Sequence, residues 1–207
     1  MTKILLGTTN QAKQERLGWC LSSFRDLELV SPREVSLALE VEETGRDFQE
    51  NATIKALAYS SAFGGLAIAS DGGASIPALG EDWDGLLTHR FAGKEAGDTD
   101  RLDAIIQMME KFSGEDRKVF WNEAVALADN GKLVFSLLET GERGFLQKGY
   151  DRSNVMSGFW LANIWLCPRF DKTYACLTPE ERGNQDFTWP RLKARLEPLI
   201  QSNLLTL

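Results

Sequence analysis

The sequence predicts an α/β protein built on a mixed sheet. Two observations carry that expectation. Short apolar strands alternate with helical stripes through the first third of the chain, and a hairpin signal, Asp129-Asn130-Gly131-Lys132, joins two extended runs further on. At 207 residues the chain has the length of one domain with room for a sizeable core, and we expect a single domain over 1–207.

The first strand is Ile4-Leu5-Leu6, and Gly7-Thr8-Thr9-Asn10 breaks it. From Gln11 the pattern turns helical, with Leu17, Leu21 and Phe24 on one face. Asn10 fits an N-cap. A strand, a tight polar turn and a helix start aim backbone N–H groups and a positive helix end at one place, which suits a phosphate. Lys13 adds a charge there, and Thr8 and Thr9 add hydroxyls. The same stretch also reads as an ordinary capped helix, since it is neither a Walker loop nor G-x-G-x-x-G.

Leu27 to Val30 reads as a second strand and Ala38 to Val41 as a third extended piece. A helix follows from about Asp47 to Phe63, with Asp47 and Glu50 placed for a capping box and Gly64-Gly65 as its stop. Leu66 to Ala69 is a short strand expected to end in the small-residue turn Ser70-Asp71-Gly72-Gly73. A helix is expected from about Thr99 to Phe112, then strands over Val119–Ala128 and Leu133–Glu139, with Gly141–Leu146 extending the antiparallel set. The aromatic stretch Gly158–Cys167 fits a pocket wall or core. Thr178-Pro179 opens a short helix, and Trp189–Ile200 forms the last one.

Composition narrows the function. A net charge of −7 argues against a general nucleic-acid binder or a membrane-surface binder. No long apolar segment or cleavage pattern appears, so no membrane span or signal peptide is expected. Cys20, Cys167 and Cys176 lack C-x-x-C spacing, so the expected compartment is a reducing cytoplasm. His89 is the only histidine, and nothing around it resembles a nucleophile elbow. Glu42, with Glu43, and Asp71 each follow an extended run; two such carboxylates beside a phosphate site would suit a hard cation. On pattern alone they read rather as loop solvation and an Asx turn.

The order of these pieces resembles the inosine triphosphate pyrophosphatase family, which acts on non-canonical purine nucleoside triphosphates. The blocks are G-T-T-N-Q-A-K at 7–13, E-E-T-G-R-D-F-Q-E-N-A-T-I-K-A at 42–56, A-S-D-G-G at 69–73 and R-F-A-G at 90–93. The resemblance implies an elongated mixed sheet with two lobes and a central cleft, a homodimer, and Mg²⁺-dependent release of pyrophosphate. It places Thr8, Thr9, Asn10, Gln11, Ala12 and Lys13 on the triphosphate, Glu42 and Asp71 on the metal, and Asp71 as the base. It places Lys55, Gly72, Arg90, Phe159, Arg182 and Arg191 on the substrate.

Departures from the family pattern are equally definite. Ser70 replaces the first Asp of A-D-D-S-G, and Gly72 replaces its Ser. G-F-G-Y-D-P-I-F has become Gly158-Phe159-Trp160-Leu161-Ala162-Asn163-Ile164-Trp165, and S-H-R-G is reduced to Trp189-Pro190-Arg191-Leu192. In Leu177-Thr178-Pro179-Glu180-Glu181-Arg182 an Arg stands where L-T-x-E-E-K has Lys. The phosphate half is kept and the base-reading half rewritten, which implies altered or relaxed base specificity. The alternatives are a non-catalytic nucleotide- or phosphate-binding protein of this fold, and a hydrolase of another phosphorylated metabolite.

Overall fold

A computed structural model describes residues 1–88, 91–93, 95–185 and 188–204, with the side chains of Glu142, Gln185 and Leu204 left aside. Arg90 lies outside the described residues. The strands are β1 (Thr2–Leu6), β2 (Leu27–Val30), β3 (Leu66–Ser75), β4 (Lys118–Asp129), β5 (Lys132–Leu146), β6 (Trp165–Cys167) and β7 (Lys172–Thr173). The helices are α1 (Gln11–Leu21), α2 (Phe48–Phe63), α3 (Asp98–Met108), α4 (Pro179–Gln185) and α5 (Thr188–Leu204). The strands are ordered β2-β1-β3-β4-β5-β6-β7. The β1–β2 and β1–β3 pairs are parallel, while β5–β6 and β6–β7 are antiparallel. The mixed α/β sheet expected from the sequence is therefore present.

The chain forms two compact units, whose boundaries fall within β3, β4 and β5 and at the start of α5. The first comprises Met1–Gly72, Asn122–Glu139 and Thr188–Leu207. Its strands alternate cleanly. Ile4, Leu6, Leu66, Ile68, Val125 and Leu127 form one face, and they pack with Leu17, Cys20 and Leu21 of α1 and Trp189, Leu192, Leu196 and Ile200 of α5. The residues between them point the other way. Ala69, Ala124, Ala126 and Ala128 meet Ala52 and Ala56 of α2, and Leu5 and Ala67 meet Tyr59. One face is thus branched and bulky, the other mostly alanine, so α2 packs on the strands with small side chains between.

Local chemistry sets the ends of α2. Asp47 accepts from the Glu50 amide at 2.7 Å. The capping box expected there is shifted by one residue, because the Glu50 carboxylate reaches the amide and guanidinium of Arg46 instead of the Asp47 amide. Gly64 closes the helix at φ +72°, with its N–H on the Ser60 carbonyl. The β4–β5 hairpin turns through Asn130 (φ +46°) and Gly131 (φ +74°), the left-handed pair that a two-residue hairpin needs.

Three expectations change. Ala38–Val41 is not a strand; Val35, Leu37, Leu39 and Val41 pack as irregular chain on the Leu5–Tyr59 cluster, because their apolar alternation finds a surface and no paired strand. β3 does not stop at Ala69 but runs on to Ser75. The segments on either side of Thr140 form one strand, β5.

The second unit comprises Gly73–Trp121 and Thr140–Phe187. Its core gathers Ala74, Ile76, Leu102, Ile105, Val119, Leu146, Trp160 and Ile164. Arg117 is buried at its edge and donates to the carbonyls of Met109, Phe112, Leu146 and Gln147. Burial pushes its guanidinium below its ordinary value. Thr178 and Glu181 form a reciprocal cap at the start of α4, as the Thr-Pro start implied.

Two measurements test this description. Arg117→Met strands four carbonyl acceptors and should lower unfolding free energy by about 2–4 kcal/mol in a urea titration; a change within about 0.5 kcal/mol contradicts the bonding described. Hydrogen bonds from the Arg46 side chain, then its backbone, hold the Glu50 carboxyl down to about 2 from 4.5. A depressed carboxyl stabilises the fold fully above its unfolded value, and that contribution is lost as pH falls toward about 2. An NMR titration should place the Glu50 midpoint near that value and find it raised in Arg46→Ala; a wild-type midpoint at the ordinary 4.5 refutes the pairing.

Candidate active site

The site is assembled in the first unit from the β1–α1 turn, α2, β3 and β4. Gly7 closes β1 with its N–H on the Ile68 carbonyl at 2.7 Å. A Cβ there would sit 3.0 Å from the Tyr59 ring and 3.2 Å from the Ala69 methyl, so only glycine lets the turn lie this close to β3 and α2. Thr8 takes the Asn10 amide on its hydroxyl and the Gln14 side-chain amide on its carbonyl. Asn10 caps α1 by accepting from the Lys13 amide at 3.2 Å. The side chain the sequence nominated as cap therefore does that work, and the turn is held by its own polar groups.

Lys13 and Lys55 converge on Asp71. Lys55 Nζ lies 2.8 Å from Asp71 Oδ1 and 2.9 Å from Glu43 Oε1. Lys13 Nζ lies 3.8 Å from the same Asp71 oxygen and 3.9 Å from Glu123 Oε1. Asp71 is 7% exposed and Glu123 2%. Carboxylates this buried need cations beside them, and here the two lysines supply the charge. The small-residue face explains the geometry. Ala52 and Ala56 seat α2 against Ala69, which brings Lys55, on the same side of the helix, to the next inward position of β3, Asp71.

Asp71 is therefore a strand residue, not part of a glycine turn, which corrects the sequence reading. Gly72, which follows it, serves a close approach between strands. A Cβ on Gly72 would stand 2.6 Å from the Asn122 backbone carbonyl and would collide with the Glu123 carboxylate. The position where the resemblance implied a substrate contact is thus covered by Glu123. Ser70 is fully buried, and its hydroxyl has no hydrogen-bond partner among the described residues.

The other nominated residues that are described lie as follows. Glu42 is exposed, and it is its neighbour Glu43 that reaches Lys55. Thr9, Gln11 and Ala12 are exposed on the α1 turn. Arg191 is exposed on α5. Phe159 and Arg182 belong to the second unit. There the Phe159 ring packs against Trp121, Trp165 and Tyr174 at 5.2, 6.2 and 5.4 Å, and the aromatic stretch is largely core. Arg182 lies over Tyr174 at 5.7 Å and donates to the Ala175 carbonyl. Sequence reasoning missed Glu123, which sits inside the apolar run Val119–Ala128 and looks there like an ordinary strand residue. A charged residue in a run that is otherwise uncharged and mostly apolar was the available signal.

Among the described residues no three carboxylate, imidazole or thiol groups form a ready metal cage. A hard cation that arrives with phosphate oxygens needs only one or two carboxylates, and the oxygen donors at Asp71 and Glu43 fit that requirement. Among the described residues, no helix is long and apolar enough to cross a membrane.

The chain is similar to known proteins over most of its length. The model of the Ham1 family matches residues 4–187. The dITP/XTP pyrophosphatase of Pectobacterium atrosepticum is 30% identical over 200 residues, covering 96% of this chain and 98% of that protein. The dITP/XTP pyrophosphatase of Coxiella burnetii is 31% identical over 189 residues, covering 88% of this chain and 89% of that one. A solved HAM1 protein from Coxiella burnetii superposes with a TM-score of 0.81 at 28% identity, over 96% of this chain and 100% of that one. The Staphylococcus aureus Ham1 protein gives 0.78 at 25% identity, over 95% and 98%.

Gly72→Ala tests the packing at the centre of the site. The added methyl must push Glu123 or the Asn122 carbonyl aside, at a cost of about 1–3 kcal/mol. Thermal melting should register the loss, and an alanine variant as stable as the parent would mean that Glu123 does not lie over this residue.

Proposed function

This chain belongs to the Ham1 family, and from that premise we propose that it hydrolyses a nucleoside triphosphate to the monophosphate and pyrophosphate. The observation that carries the reading is the buried Asp71 carboxylate held between Lys13 and Lys55, beside the start of α1. Hydrolysis of a phosphoric anhydride requires neutralised phosphate charge and a water placed in line. The α1 start, with Lys13, receives the phosphate chain. Lys55 adds the second positive charge. Once phosphate oxygens are present, both ammonium groups have new anionic partners, and Asp71 is left to take the proton from the attacking water. The α-phosphorus gains the oxygen of that water, and pyrophosphate leaves with the electrons of the broken P–O bond.

Mg²⁺ belongs to the same proposal, with Asp71 and the Glu42–Glu43 pair holding it; when bound it supplies charge neutralisation on the phosphate oxygens. The base preference differs from that of the dITP/XTP relatives. That part of the reading is supported by the changed segments at 158–165 and 189–192 and by the engagement of Phe159 and Arg182 in packing within their own unit. A cytoplasmic homodimer completes the proposal. One observation favours a second reading, a binding protein without turnover: Glu123 places a carboxylate over Gly72, close to where phosphate would lie.

Pyrophosphate release across common, deaminated and oxidised nucleoside triphosphates, with excess Mg²⁺, decides between them. The expected result is turnover of at least one, reduced by about 10²–10⁴ in Asp71→Asn. No release from any substrate by folded protein would remove the enzymatic reading and leave the binding one.

A further inference from the structure

Asn51 is a buried polar residue of α2 that the reaction above does not use. It is 2% exposed and lies one helical turn before Lys55, on the same side of the helix. Its Oδ1 accepts the backbone N–H of Gly45 at 2.8 Å. Gly45 belongs to the irregular segment that carries Glu42 and Glu43. The bond therefore joins that acidic segment to the helix that presents Lys55.

The contact is close. A Cβ on Gly45 would stand 2.7 Å from Asn51 Oδ1 and 2.8 Å from the Asn51 backbone nitrogen, so a side chain there would push the segment off the helix. Two further contacts tie the same segment to α2. The Arg46 N–H donates to Glu50 Oε2 at 2.9 Å, and Lys55 Nζ meets Glu43 Oε1 at 2.9 Å. Arg46 and Glu43 are exposed, so solvent weakens those two ties. Asn51 is enclosed, and losing its oxygen leaves the Gly45 N–H without its acceptor.

We infer that Asn51 is a positioning residue for the divalent cation. It fixes the Glu42–Glu43 segment on α2 beforehand, which spares cation binding the entropy of ordering that segment. The inference rests on the cation site proposed at Asp71 and Glu42–Glu43. Asn51 acts through the backbone of Gly45 and takes no part in ligation or bond making.

The test is binding of Mn²⁺ alone to the full chain, read from the loss of the free-ion electron paramagnetic resonance signal. No nucleotide and no turnover are involved. The parent should bind, and Asp71→Asn should remove most of that binding. Asn51→Ala deletes the accepting oxygen and should lower the affinity by about 10–100-fold. Gly45→Ala leaves Asn51 and every carboxylate in place, and should lower it comparably. Asn51→Asp keeps an oxygen for the Gly45 N–H and should bind as well as the parent or better. No Mn²⁺ binding by the parent, binding that Asp71→Asn leaves intact, or parent-like affinity in folded Asn51→Ala or Gly45→Ala would overturn the inference. So would an equal loss in Asn51→Asp, which would assign the effect to packing around the side chain. The turnover panel is read separately. A chain that shows this pattern but hydrolyses nothing keeps the inference and loses the pyrophosphatase reading, and active protein with unchanged Mn²⁺ affinities does the reverse.

Discussion

A helix can deliver a lysine to a carboxylate on a neighbouring strand only if little stands between them. The alanine contact between α2 and the first unit's strands meets that constraint, and the site depends on it. Ala52 and Ala56 lie against Ala69, Ala124, Ala126 and Ala128, and all six are fully buried. A larger residue at any of them would lift α2 and draw Lys55 away from Asp71. The opposite face carries isoleucine, leucine and valine and supplies most of the apolar burial. Stability and site geometry are thus assigned to different faces of the same strands.

The second dependence is electrostatic. Asp71 and Glu123 are nearly inaccessible, and unpaired carboxylates there would cost several kcal/mol each. Lys13 and Lys55 offset that cost.

The second unit shows how a sequence motif can persist in part and serve another purpose. Phe159 remains, but its ring is one of a set with Trp121, Trp165 and Tyr174. Arg182 remains as a cation, but it lies over Tyr174 and bonds Ala175. Both residues are engaged within their own unit.

The sequence by itself determined the parts governed by local rules. Asn10 and Asp47 cap their helices, Gly64 ends α2, Asn130-Gly131 turns the β4–β5 hairpin, and the strand–helix alternation yields parallel β1, β2 and β3. Each rests on interactions within a few residues or on a period visible in the chain. Thr8, Asn10, Lys13, Lys55 and Asp71 were nominated through their motif blocks, and the structure brings Lys13 and Lys55 to Asp71. Only the tertiary structure decided that β3 runs through Asp71, that Glu43 and not Glu42 meets Lys55, that Ala38–Val41 has no strand partner, and that Glu123 fills the space over Gly72. These outcomes depend on which strand lies beside which and how near a helix can come. Such distances are fixed by side chains remote in sequence, and no local pattern carries them.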